Sequence, residues 1–84
     1  MLTPTTAELL NAVEVLKKLG ERLNTHAAHS VMQLPDTSLG DHYAGRIEVR
    51  TIEQTSRIES VVEQLNNWRD ELIQQRRQNV SQSV

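Results

Sequence analysis

An all-α fold, two antiparallel helices joined by a short turn, follows from three features of this sequence. Residues Tyr43 to Gln78 contain no proline and one glycine, Gly45. The apolar residues of that stretch recur at helical spacing: at 100° per residue, Ile47, Ile58, Val61, Val62, Leu65, Trp68, Leu72 and Ile73 fall within about −80° to +60° of Ile58. A second stripe precedes it, and Leu34-Pro35 separates the two, because a residue before proline is pushed out of the α region. The reading is one domain spanning 1–84: a helix over about 5–33, a turn over 34–40, a helix over about 41–78, and a disordered tail at 79–84.

The first helix enters through Thr5 and Glu8, whose spacing is that of a capping box. Thr3-Pro4 offers a start one turn earlier, with Pro4 at the first helical position. Leu9, Ala12, Val13, Leu16, Leu19, Leu23, Ala27 and Val31 share one face, with Gly20 and Ser30 among them. Glu14 and Lys18 form a favourable i,i+4 pair on the outer side. Gly20 costs about 1 kcal/mol of helix propensity relative to Ala, and its place on the stripe predicts close approach by a neighbouring helix backbone.

The turn is rich in Pro, Asp, Ser and Gly, and either Ser38 with Asp41 or Thr37 serves to cap the second helix. Arg46 to Ile52 alternates polar and apolar residues as a half-buried strand would, but no other strand exists to pair with it. Arg76 and Arg77 suit the C-terminal end of the second helix. Helices of about 28 and 37 residues span roughly 42 and 55 Å. Joined by so short a turn they fold back antiparallel, Ala27 near Thr51, Gly20 near Ile58, Leu16 near Val62 and Leu9 near Trp68. Leu72 and Ile73 then overhang the first helix.

Composition narrows the function classes. The chain has 84 residues, no Cys, no Phe, one Trp and one Tyr. Disulfides and thiolate metal sites are excluded, and large core side chains are scarce. Small domains without such staples turn to oligomerisation. The overhang and the half-covered stripes predict a two-fold dimer forming a four-helix bundle. Its seam would be Ile58, Val61, Val62, Leu65, Trp68, Leu72 and Ile73. No apolar run reaches the roughly 20 residues of a membrane span, and no basic-then-apolar leader pattern is present, so no membrane partner and a cytoplasmic location are expected.

Three clusters carry candidate chemistry. Arg46, Arg50 and Arg57 line one edge of the second stripe, at about −120°, −80° and −100°, as candidates for a partner or phosphate contact. Glu53 lies among them, and Glu48, Glu59, Glu63 and Asp70 line the opposite edge. Paired basic and acidic edges set partner orientation in helical assemblies. With a net charge of −2, nucleic acid is the less favoured partner. His26, His29 and His42, with Asp36 and Asp41 nearby, do not share a spacing that makes ligands converge, so no metal is expected. Thr51, Gln54, Thr55 and Arg69 place polar groups inside the stripe, where they can fix register. Neither a Gly-rich phosphate loop nor a Ser-His-acid set is present, so no catalytic residues and no cofactor are expected. Trp68 to Leu72 also fits a groove-binding amphipathic segment. The function expected is a non-enzymatic protein–protein interaction module acting as a homodimer. The alternative is a nucleic-acid-binding accessory factor using the arginine edge.

Overall fold

The structure, a computed structural model, describes residues 3–82, with side chains through residue 79. It is an all-α hairpin of α1 (Thr6–Met32) and α2 (Ser38–Gln82), packed along each other. Thr5 caps α1 with reciprocal bonds: the Glu8 N–H donates to its Oγ1 at 3.1 Å, and its own N–H donates to Glu8 Oε1 at 3.1 Å. At the other end the Gln33 N–H donates to the His29 carbonyl at 3.3 Å and the Leu34 N–H to that of Val31 at 3.1 Å. The chain then leaves the helix before Pro35.

Of the two candidate caps for α2, Thr37 is the one used. Its Oγ1 accepts from the Gly40 N–H at 3.1 Å, while its carbonyl accepts from the Asp41 N–H at 2.9 Å. The Thr37 N–H in turn donates to the Pro35 carbonyl at 2.9 Å, which closes the turn. Gly40 is buried in that turn, and a Cβ there would run into the Pro35 carbonyl oxygen.

Arg46 to Ile52 is helical as expected, since a strand there would leave its ladder groups unpaired. Three sequence expectations change. Gly20 is not a point of close backbone approach: a Cβ added there meets nothing within 4 Å. α2 runs on to Gln82 instead of ending near Gln78, so residues 79–82, expected as disordered tail, are helical. Residues 83 and 84 lie outside the described set. Arg76 and Arg77 consequently sit before the last described turn, which carries no basic residue.

The third change concerns the overhang. Gly20 and Ile58 line one cleft between the helices, and Ala27 and Thr51 line the next. Residue n of α1 therefore lies level with about residue 78 − n of α2, in an antiparallel pair rising 1.5 Å per residue. Leu72 and Ile73 are level with Pro4 to Thr6, and all four of Leu72, Ile73, Pro4 and Thr6 are half-buried. Among the described residues, what projects past α1 is the stretch from Gln74 to Gln82.

The hairpin is one layer. It measures 71 × 21 × 15 Å, and its radius of gyration is 19.6 Å where a compact chain of this length has about 12 Å. A single layer cannot enclose a core of any size. Only Leu9, at 4% exposure, and Val13, at 2%, are buried apolar side chains among the described residues.

Candidate functional site

The residues of α2 that turn toward α1 identify its contact line. Ile47, Thr51, Ile58, Val62, Leu65 and Arg69 are half-buried and recur with the 3.6-residue period of a straight helix. On α1 the corresponding line is Leu9, Val13, Leu16, Gly20 and Ala27. The two open faces of the hairpin lie to either side of these lines, and they differ in chemistry.

One face is polar. Lys17 and Asn24 of α1 and Thr55, Glu59 and Asn66 of α2 line a cleft along it, over Gly20 and Ile58. These residues are displaced from their contact lines in the positive angular sense on both helices, as antiparallel neighbours sharing a face must be. The negative sense therefore marks the other face. There, about 65° to 90° from the contact lines at 100° per residue, stand Leu19, Val61 and Trp68. All three are exposed, at 44%, 43% and 41%. Leu16, Leu23, Leu65 and Leu72 border them, half-buried.

This divides the seven seam residues read from the sequence. Ile58, Val62, Leu65, Leu72 and Ile73 are half-buried in the hairpin, whereas Val61 and Trp68 are exposed. Sequence reasoning took the stripe as one surface and placed Leu19 on the shared apolar face of the first helix. A stripe about 140° wide covers both the line facing a partner helix and one flank beside it. The angular offset of Leu19, Val61 and Trp68 within their stripes was the signal that separates the two.

Arg46, Arg50 and Arg57 come together, joined by His42, Tyr43, Glu53 and Gln54, along a shallow groove formed by α2 alone. None of the three guanidinium groups forms an ion pair within the chain among the described residues. Glu53 lies in the groove but does not close on them. The opposite edge, Glu48, Glu59, Glu63 and Asp70, is exposed.

The polar residues of the stripe are partly satisfied by their own helix. Thr51 Oγ1 donates to the Ile47 carbonyl at 2.8 Å, and Thr55 Oγ1 donates to the Thr51 carbonyl at 3.0 Å. Such back-bonding hides the hydroxyl proton and leaves the threonine methyl free for packing. Gln54 and Arg69 are half-buried beside them.

His26, His29 and His42 are all exposed. They do not form one cluster: among the described residues, no group of three or more His, Asp or Glu is placed to hold a metal ion. His42 instead meets Tyr43 edge-on, with ring centroids 5.8 Å apart. Among the described residues no helix is long and apolar enough to cross a membrane. Compared with protein-family models, with curated proteins and with solved structures, the chain gives no match.

Proposed function

We propose that this protein is a non-enzymatic helical interaction module that acts as a homodimer, in the role of an adaptor, inhibitor or accessory subunit, in the cytoplasm. The observation that carries this reading is the accessible surface of the hairpin. It is 7011 Å², where a folded monomer of 9.6 kDa exposes about 5,100 Å². The excess of roughly 1,900 Å² per chain, doubled over two chains, falls in the range of obligate dimer interfaces. Among the exposed large apolar side chains, Leu19, Val61 and Trp68 share one face of the hairpin. A second copy covering that face would supply the second layer that the single hairpin lacks.

Sedimentation at micromolar concentration tests the proposal, together with melting at several concentrations. The dimer predicts twice the chain mass and a melting temperature that rises with concentration. A chain that sediments at its own mass and melts independently of concentration would remove the reading.

The arginine groove supports a second reading, a nucleic-acid-binding accessory factor. Three guanidinium groups without ion-pair partners in one groove can take phosphates. Mobility shifts with DNA and RNA near physiological salt decide between the two. A salt-sensitive complex lost on joint substitution of Arg46→Ala, Arg50→Ala and Arg57→Ala would favour this second reading.

A further inference from the structure

Rims of charge flank the apolar face, and their order along the helices bears on how two copies meet. Arg22 and Glu8 lie on its outer edge on α1, and Arg57 and Glu71 lie on its outer edge on α2; all four are exposed. By the fold-back register, Arg22 is level with about residue 56 of α2 and Glu8 with about residue 70. Each hairpin thus carries two arginines at one level, with Glu53 one turn before Arg57, and two glutamates at another, about 14 residues or 21 Å away. Leu19, Val61 and Trp68 lie between these levels.

Two hairpins stacked face to face have two two-fold arrangements. With the axis along the helices, the turns share an end and α1 lies over the α2 of the other copy. Arg22 then faces the partner's Arg57, and Glu8 faces the partner's Glu71, a like-charge meeting at every rim. With the axis perpendicular to the helices, the turns lie at opposite ends and each helix crosses its own counterpart antiparallel. Arg57 then faces the partner's Glu71, and Arg22 faces the partner's Glu8. Opposite charges meet at all four rim positions, and like charges at none. Juxtaposed like charges are a strong discriminator between docking geometries.

We propose that two copies of this chain stack through the Leu19–Val61–Trp68 face with their turns at opposite ends, about a two-fold axis perpendicular to the helices near Gln64. The inference rests on the homodimer reading above and adds the geometry of the pair. In this arrangement Trp68 lies over the partner's Val61, so a large side chain meets a smaller one there. The apolar patch is self-complementary about that axis, as an isologous interface requires. The basic groove at Arg46 and Arg50 lies toward the outer end of each hairpin, beyond most of the overlap.

The absence of cysteine gives a direct test. A single Asp36→Cys substitution places one dye in the exposed turn, away from the face. Mixed donor- and acceptor-labelled chains should then show almost no energy transfer within a sedimenting dimer. Turns at opposite ends are about 80 Å apart, at 1.5 Å per residue from the axis. Strong transfer would place the turns within about 20 Å, the width of a four-helix bundle, and would overturn the arrangement while leaving the homodimer standing. A chain that sediments as a monomer would overturn both. Arg57→Glu should weaken the dimer at least tenfold, and Arg57→Glu combined with Glu71→Arg should restore most of the loss. A dimer unmoved by Arg57→Glu, or not restored by the exchange, would also overturn the arrangement.

Discussion

Gly40 lies against the carbonyl oxygen of Pro35, and a methyl group at Gly40 would overlap that oxygen. The contact arises because the same carbonyl accepts the Thr37 N–H, which draws the first turn of α2 down onto the middle of the connection. No glycine in the described chain has a positive φ, so the requirement here is for space and not for an unusual backbone angle.

Gly40→Ala and Gly20→Ala should therefore act with opposite signs. Alanine improves helix propensity by about 1 kcal/mol at either site. At Gly20 nothing opposes that gain, since the space is open. At Gly40 the backbone must move, and overpacking costs of about 1–3 kcal/mol outweigh it. Urea denaturation of the two variants should show Gly20→Ala more stable than the parent and Gly40→Ala less stable.

Trp68→Ala should cost about 3 kcal/mol of dimer stability, the scale of a large aromatic truncated in a buried seam. In a lone hairpin, where Trp68 is 41% exposed, the cost would be much smaller. Glu59→Ala, on the polar face, should change stability by less than about 1 kcal/mol. Denaturation at two protein concentrations separates these outcomes, because only loss of the seam removes the concentration dependence.

Each helix entry depends on one threonine hydroxyl. Thr5→Ala and Thr37→Ala should each cost about 0.5–2 kcal/mol, the usual loss for an N-cap. Thr37→Ser should retain most of the stability, since its hydroxyl can still accept from the Gly40 N–H. Thermal melts of the three variants at one fixed concentration read these differences.

Zinc titrated calorimetrically should give no binding tighter than about a micromolar, the expectation for exposed imidazoles without converging ligands. His26→Ala should leave the titration unchanged. Tight binding abolished by His26→Ala would place a metal site where the fold brings no ligand group together.

The helices and their fold-back were legible because they rest on local signals. The 100° periodicity, the Thr5–Glu8 pair and Leu34-Pro35 act over a few residues. Gly20 and Ile58, paired in the expected fold-back, line one cleft. What periodicity could not resolve was the division of one stripe between two uses. Val61 and Val62 both belong to the stripe, yet one is exposed and the other half-buried, because a turn of 100° separates them. Gly20 was read as a contact because glycine on an apolar face permits close approach. The helices of this hairpin stay far enough apart to leave that space unfilled. The polar layer was legible as sequence but not as structure, since only geometry shows Thr51 and Thr55 bonding to their own backbone.

A molecule 15 Å thick has no backbone segment shielded by more than one shell of side chains. Local opening in such a chain exposes cleavable backbone at little cost, and degradation follows the population of the open form when opening is fast. If pairing supplies the second layer, survival of the protein in the cell becomes a function of its own abundance. Newly made or dilute chains would be removed quickly, and chains above the pairing threshold would persist. The thinness of the hairpin would then set a floor on how little of the protein a cell can keep.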